Sequence, residues 1–154
     1  MNEQKLVELL KQKNMHISCA ESCTGGMLSS TLVGVVGASD VLDMGFVTYA
    51  NSAKIKLLSV SEHDIDKYGV VSEVVAGQMA SGACAVSGAD VGVGISGIAG
   101  PGGSAFKPEG MVCFGFCVKG EVTTVTKHFG AIGRQNVREK SCEFAIDTVI
   151  DLIK

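Results

Sequence analysis

Strand-like and helix-like segments alternate along most of this chain, and only the last two strand-like segments follow each other directly. Parallel strands need a long crossover between them, usually a helix, whereas antiparallel strands can be joined by a tight turn. The alternation therefore predicts a parallel sheet, and the dipeptide Lys119-Gly120 between the last two segments predicts a hairpin. We expect a single three-layer α/β/α domain over residues 1–154, with a mixed, mainly parallel sheet of about five strands.

Apolar periodicity and turn residues delimit the individual elements. The predicted strands lie at residues 16–20, 44–49, 91–96, 111–118 and 122–129. The predicted helices lie at residues 1–14, 27–36, 51–58, 74–86 and 136–153. Ser72 is the expected cap of the fourth helix, whose interior is rich in Ala and Gly and so permits close packing on the sheet.

Three segments leave the ends of predicted parallel strands with polar or glycine-rich residues, at 21–26, 49–54 and 96–104. In α/β sheets, ligands bind beyond the carboxyl ends of the strands. We therefore expect the three segments to converge in one site at that edge of the sheet.

Composition restricts the classes of partner. The net charge is −3 and there is no basic run, which argues against a dedicated nucleic-acid surface. Only 5% of the residues are aromatic and none is Trp, so few side chains could stack on single-stranded bases. The longest apolar runs are too short to span a bilayer, so we expect no membrane partner.

The cysteines indicate a reducing compartment. The chain has six Cys but no CxxC pair and only three His, so we expect no metal site. Several Cys lie inside apolar segments, and residues 1–14 resemble an amphipathic helix rather than a signal peptide. We therefore expect reduced thiols and a cytoplasmic protein.

Ser22 lies where a predicted strand ends and a predicted helix begins. Backbone N–H groups at such a junction can face an anion or a developing oxyanion, and Gly25 and Gly26 allow a ligand to approach closely. An ordinary helix cap would explain the same residues. A serine nucleophile also needs a base, and none of His16, His63 and His128 has the context of a catalytic triad.

Lys54 is a second candidate base, because a desolvated lysine can be neutral near physiological pH. Spacing alone is explained more simply by a surface lysine beside Lys56. Tyr49 could orient a substrate or pack against a helix, and Ser39 could reach the same edge or cap a turn. Cys23 is either a rival nucleophile or a small buried hydrophobic residue.

The glycine-rich loop at 97–104 has the composition of a phosphate cradle, but it lacks both the P-loop ending and the GxGxxG order. Arg134 and Arg138 lie four residues apart at the start of the last helix. They could clamp a phosphate or carboxylate, or they could form a solvated face with Glu139.

Four motifs occur in order along the chain: Ala-Glu-Ser-Cys-Thr-Gly-Gly at 20–26, Gly-Phe-Val-Thr-Tyr-Ala-Asn-Ser-Ala-Lys at 45–54, Gly-Val-Val-Ser-Glu at 69–73 and Ser-Gly-Ile-Ala-Gly-Pro-Gly-Gly at 96–103. Together they resemble the CinA C-terminal domain family, over nearly the whole chain. The resemblance implies a three-layer α/β/α amidohydrolase of the PncC type, often a homodimer, that needs no metal or cofactor. Such enzymes convert nicotinamide mononucleotide to nicotinate mononucleotide and ammonia during pyridine nucleotide recycling.

Matching motifs imply that Ser22 is the nucleophile, that Lys54 is its base and that Tyr49 is a third catalytic residue. The implied substrate-binding residues are Cys23, Thr24, Gly25, Gly26, Ser39, Ser96, Gly97, Gly100 and Arg134. This chain departs from the family pattern in a loop at 100–110 that is one residue shorter, and in a longer, less acidic segment at 129–133. A catalytically silent nucleotide-binding or interaction domain is the alternative, and a Cys23 hydrolase is a third interpretation.

Overall fold

Five strands form one sheet in the order β2-β1-β3-β4-β5 in the computed structural model, which describes residues 1–154. The strands are β1 (Ile17–Glu21), β2 (Phe46–Val47), β3 (Val91–Gly97), β4 (Met111–Val118) and β5 (Glu121–His128). β1 pairs in parallel with β2 and β3, and β4 is antiparallel to β3 and β5. Four strands therefore run in one direction and only β4 opposes them, which confirms the predicted mixed, mainly parallel sheet.

Three helices cover each face of the sheet. The helices are α1 (Glu3–Gln12), α2 (Met27–Val33), α3 (Asn51–Leu58), α4 (Glu62–Tyr68), α5 (Glu73–Ser87) and α6 (Arg134–Ile153). The larger core lies between the sheet and α1, α2 and α6, and the smaller core lies beneath α3, α4 and α5. This is the predicted three-layer arrangement. None of the helices combines the length and the hydropathy that a membrane span requires.

The alternation Val-Gly-Val-Gly in β3 shows how the two layers differ. Val91 and Val93 point into the larger core, whereas a Cβ atom at Gly92 or Gly94 would collide with backbone atoms of α5. Because side chains alternate across a strand, the two glycines fall on the same face. The Ala- and Gly-rich helix α5 can therefore lie directly on the sheet backbone, as its composition predicted.

The structure confirms one predicted turn and one predicted helix cap. Lys119 and Gly120 have φ values of 50° and 85°, which is the left-handed pair that a two-residue hairpin requires. Ser72 accepts a hydrogen bond from the N–H of Val75 at 3.3 Å and so caps α5.

Several predicted boundaries were wrong. β2 is limited to two residues rather than 44–49, because the carbonyl groups of Thr48 and Tyr49 leave the sheet to accept hydrogen bonds from Lys54. α2 ends at Val33 rather than at residue 36, before a turn in which Gly37 has a φ of 89°. β1 runs one residue further than predicted, through Glu21.

Candidate active site

Ser22 lies directly beyond β1, at the carboxyl end of the sheet. Its N–H donates to the carbonyl oxygen of Ile95 at 3.0 Å, so the contact with β3 holds its backbone. Only 9% of Ser22 is exposed, and it lines a cavity of about 360 Å³. The structure thus places a hydroxyl group at the floor of a pocket.

Lys54 lies beside Ser22 and is completely buried, with 0% of the residue exposed. Its Nζ lies 3.0 Å from Ser22 Oγ, 2.7 Å from the carbonyl oxygen of Thr48 and 3.0 Å from that of Tyr49. The interpretation of Lys54 as a surface lysine was therefore wrong. Its position in α3 faces the smaller core, where Leu58 one turn later is also buried.

The contacts of Lys54 suit a base. A neutral amine has two N–H groups and one lone pair, and the carbonyl oxygens of Thr48 and Tyr49 can only accept. With both N–H groups donated to these carbonyls, the lone pair is left for the hydroxyl proton of Ser22. Burial strips water from the ammonium form and lowers the pKa of Lys54 to about 8, while Cys23 acts weakly in the opposite direction.

Glu21, the last residue of β1, is a site residue that sequence reasoning missed. Its buried carboxylate accepts from the N–H groups of Leu28 and Ser29 at 2.8 and 3.0 Å, and from Ser29 Oγ at 2.8 Å. The N–H groups of Leu28 and Ser29 in the first turn of α2 are therefore capped from inside the protein, which leaves only the preceding turn to offer free backbone donors. The signal was a carboxylate at a strand end, just before a glycine turn and a helix.

The turn between β1 and α2 retains three backbone donors. The N–H groups of Cys23, Thr24 and Gly26 have no hydrogen-bond partner within the chain, whereas that of Gly25 donates to the carbonyl oxygen of Ser22. Gly25 and Gly26 have φ values of 55° and 98°, so glycine is needed at both positions. The two glycines shape the turn and do not themselves line the cavity.

The two arginines of α6 have different partners. Arg138 donates to the carbonyl oxygens of Cys23 and Thr24, both at 3.1 Å, and so holds the turn in place. Arg134 lies at the mouth of the cavity, where it donates to the carbonyl oxygen of Gly100 at 2.7 Å and to Tyr49 Oη at 3.2 Å. Of these two arginines, Arg134 lines the cavity and Arg138 does not.

Six of the implied site residues line the cavity: Ser22, Cys23, Tyr49, Gly97, Gly100 and Arg134. Ser96 lies beneath its wall, where the buried Oγ donates to the carbonyl oxygen of Val70 at 2.8 Å. Thr24 is also buried, and its Oγ1 has no partner. These two residues contribute to the shape of the pocket from behind its surface.

Ser39 does not reach the cavity of this chain, which corrects the expectation for that residue. It is exposed on a short 3-10 helix at Ala38–Asp40. Val41, the residue that follows this 3-10 helix, accepts a hydrogen bond through its carbonyl oxygen from the N–H of Ile17 at the start of β1. Ser39 therefore lies at the opposite end of the sheet from Ser22.

An apolar part of the cavity wall was also missed by sequence reasoning. Val70 and Val71 line the cavity together with Ile98. Lys107 fastens this wall, because its Nζ donates to the carbonyl oxygens of Tyr68 and Val71. The available signal was the Gly-Val-Val-Ser-Glu motif, which sequence analysis assigned to no function.

The rival nucleophile and the histidines do not form an alternative site. Burial raises the pKa of the Cys23 thiol to about 11, which keeps the thiolate scarce near neutral pH. None of the three histidines contacts Ser22, and His16 lies 3.1 Å from Asp43 at the other end of β1. No group of three or more His, Cys, Asp or Glu side chains converges in a metal-binding arrangement.

These features define an α/β protein with a buried serine–lysine pair at the carboxyl edge of its sheet. The chain belongs to the CinA C-terminal domain family, whose model matches residues 1–153. It is 46% identical to the nicotinamide-nucleotide amidohydrolase PncC of Enterobacter agglomerans, over 97% of this chain and 96% of that protein. It is 42% identical to a CinA-like protein of Kosmotoga olearia, but there it spans only 36% of the relative's length.

Solved structures share the same fold. The chain superposes on a competence-damaged protein (CinA) superfamily protein from Escherichia coli with a TM-score of 0.94 and 36% identity, over 97% of this chain and 87% of that chain. The competence/damage inducible protein CihA from Agrobacterium tumefaciens gives a TM-score of 0.93 and 37% identity, over 100% of this chain and 97% of that chain.

Proposed function

We propose that this protein is a nicotinamide-nucleotide amidohydrolase that converts nicotinamide mononucleotide and water to nicotinate mononucleotide and ammonia. The observation that carries the proposal is the buried contact of 3.0 Å between Lys54 Nζ and Ser22 Oγ. The name of the 46% identical relative supports this choice of substrate. The reaction would serve the recycling of pyridine nucleotides.

The first half of the reaction forms an acyl-enzyme. Neutral Lys54 takes the hydroxyl proton of Ser22 as Oγ attacks the carboxamide carbon, and the C=O electron pair moves to oxygen. The free N–H group of Cys23, which lines the cavity, is the candidate donor to that oxyanion. When the C–N bond breaks, the ammonium group of Lys54 gives its proton to the departing nitrogen, and ammonia leaves.

The second half uses the same two residues. Lys54 is neutral again and takes a proton from a water molecule that attacks the ester carbon. The bond between that carbon and Ser22 Oγ breaks, Oγ recovers a proton from Lys54, and the nicotinate product is released. The chemical steps thus require only the dyad, the backbone donor and water.

The cavity suits a small aromatic nucleotide. A volume of about 360 Å³ falls in the range of small-molecule sites. Val70, Val71 and Ile98 offer an apolar wall for a flat pyridine ring, and Arg134 offers a cation for the phosphate. We propose that the phosphate exchanges for the present partners of Arg134, the carbonyl oxygen of Gly100 and the hydroxyl of Tyr49.

Ammonia release from nicotinamide mononucleotide, its riboside and NAD tests the proposal. We expect the mononucleotide to be the best substrate, and we expect Ser22→Ala to abolish turnover while the protein stays folded. Binding of the mononucleotide without any ammonia would instead indicate a silent nucleotide-binding domain. Activity that survives Ser22→Ala but is lost in Cys23→Ala and after thiol alkylation would indicate a cysteine hydrolase.

A further inference from the structure

Part of the apolar wall of the cavity belongs to a segment with no helix or strand of its own. Val70 and Val71 lie between Tyr68, the last residue of α4, and Glu73, the first residue of α5. The N–H groups of Val70 and Val71 have no hydrogen-bond partner within the chain. No backbone ladder therefore fixes this part of the wall, and other groups must hold it in place.

Side chains from β3 and from the loop that follows it hold the segment through its carbonyl oxygens. Ser96 Oγ donates to the carbonyl oxygen of Val70 at 2.8 Å. Lys107 Nζ donates to the carbonyl oxygen of Tyr68 at 2.7 Å and to that of Val71. A single ammonium group thus ties the end of α4 to the residue that lines the cavity.

The backbone around Lys107 Nζ is shaped to receive an ammonium group. Gly69 has a φ of 83°, and a Cβ atom at that position would lie 2.6 Å from Lys107 Nζ and displace it. The last carbonyl groups of a helix lack partners within the helix and favour a nearby cation. Lys107 forms no ion pair with a carboxylate, so its side-chain hydrogen bonds are those to the two carbonyl oxygens.

The loop that carries Lys107 is also fastened to the glycine-rich side of the cavity. The carboxylate of Glu109 accepts a hydrogen bond from the N–H of Gly102, which lines the cavity. Within the loop, the carbonyl oxygen of Lys107 accepts from the N–H of Ser104 at 2.9 Å. The loop therefore acts as a clasp that joins two parts of the cavity lining, Val71 through Lys107 and Gly102 through Glu109.

We propose that Lys107 is a positioning residue that makes the cavity selective for a flat ring, an inference that rests on the proposed function. Lys107 does not line the cavity and forms no hydrogen bond with Ser22 or Lys54, so it acts through the backbone of the wall. A lining that is already in place before binding loses less free energy when a rigid ligand enters. The hydrogen bonds of Lys54 involve none of residues 68–71, so the chemical step is independent of the clasp.

Lys107→Met tests this role, because it keeps the apolar stem and removes the ammonium group. We expect KM to rise about tenfold for nicotinamide mononucleotide and equally for its riboside, with kcat within about twofold of the wild-type value. Lys67→Met removes an exposed lysine from the last turn of α4 and is the matched control, which should leave both constants unchanged. Thermal melting confirms that both variants fold.

The two substrates separate positioning from charge. A rise in KM for the mononucleotide alone would show that Lys107 acts through its charge on the phosphate, and this would overturn the proposal. A fall in kcat with KM unchanged would overturn it as well, as would wild-type constants for both substrates in Lys107→Met.

Methyl NMR of the ligand-free protein tests the clasp without turnover. The resonances of Val70 and Val71 should shift in Lys107→Met, whereas those of Leu6 in the larger core should not. Unmoved resonances of the two valines would overturn the proposal even in an active amidohydrolase.

Calorimetric binding separates this inference from the proposed function. A wild-type protein that binds both compounds but releases no ammonia would overturn the proposed function alone. An equal loss of affinity for both compounds in Lys107→Met would then still support the clasp, and unchanged affinities would overturn it. A wild-type protein that binds neither compound would overturn both proposals.

Discussion

The floor of the cavity and its mouth are built in opposite ways. At the floor, Lys54 is 0% exposed and all its hydrogen bonds are to other atoms of the protein. At the mouth, Tyr49 is 62% exposed and its hydroxyl is held only by Arg134, the residue that we propose binds the substrate phosphate. The proposed catalytic groups at the floor are thus preorganised. The proposed binding groups at the mouth must instead exchange their present protein partners for the substrate. Changes at the floor should therefore lower kcat, and changes at the mouth should raise KM.

The largest effect is expected from Lys54→Met, which keeps an apolar stem but removes the base. We expect kcat to fall at least about 10³-fold, because the proton of Ser22 then has no acceptor. Steady-state ammonia release measures it, and Lys56→Met on the exposed side of the same helix is the control. Retention of kcat in folded Lys54→Met would contradict the proposed base.

Glu21→Ala should lower the stability of the protein at the floor of the cavity, although Glu21 does not line the cavity. The buried N–H groups of Leu28 and Ser29 lose their acceptor, so we expect the free energy of unfolding to fall by about 3 kcal/mol. Urea denaturation measures this change, with the exposed residue Glu62→Ala as the matched control. Equal stability of the two variants would show that the carboxylate of Glu21 does not support α2.

Arg134→Ala should affect the mouth alone. We expect KM for nicotinamide mononucleotide to rise about 30-fold with little change in kcat, because a phosphate contact is lost. The riboside has no phosphate, so its KM should not change, and Gln135→Ala is the neighbouring control. An equal rise in KM for both substrates would mean that Arg134 only positions the loop at Gly100.

The smallest expected effect is a dependence of kcat/KM on pH, which arises from the protonation of Lys54 at the floor. Lys54 acts as a base only when it is neutral, and its lowered pKa of about 8 sets the transition. We expect kcat/KM to fall about tenfold per pH unit below that value and to level off above it. Buffers of constant ionic strength are required, and Arg134→Ala should keep the same midpoint. A profile that is flat below pH 8 would contradict neutral Lys54 as the base.

The sequence predicted the parts of this molecule that depend on local chemistry. The alternation of elements predicted the layers, and Lys119-Gly120 predicted the hairpin because left-handed backbone pairs restrict the residue types. Ser22 could be located because a strand end followed by glycines is a local pattern. The same kind of reasoning predicted Ser72 as a cap, which the structure confirms.

The remaining features depend on how elements pack. Burial of Lys54 follows from the docking of α3 on the sheet, and no local pattern distinguishes it from the exposed Lys56. Ser39 was misplaced because the chain returns to the start of β1 after α2. Glu21 was missed because the sequence predicted α2 but not the direction in which the turn at 22–26 carries its first N–H groups back towards the end of β1.

The buried amine also has a consequence for the pH at which the fold is most robust. An unfolded chain would hold the proton of Lys54 up to its ordinary pKa of 10.5, whereas the folded chain releases it near a pKa of about 8. Between those values the denatured state binds more protons, so this residue makes folding more favourable as the solution becomes more alkaline. Burial of Lys54 would then account both for the tolerance of the fold to mild alkali and for the supply of the neutral amine that the proposed reaction needs.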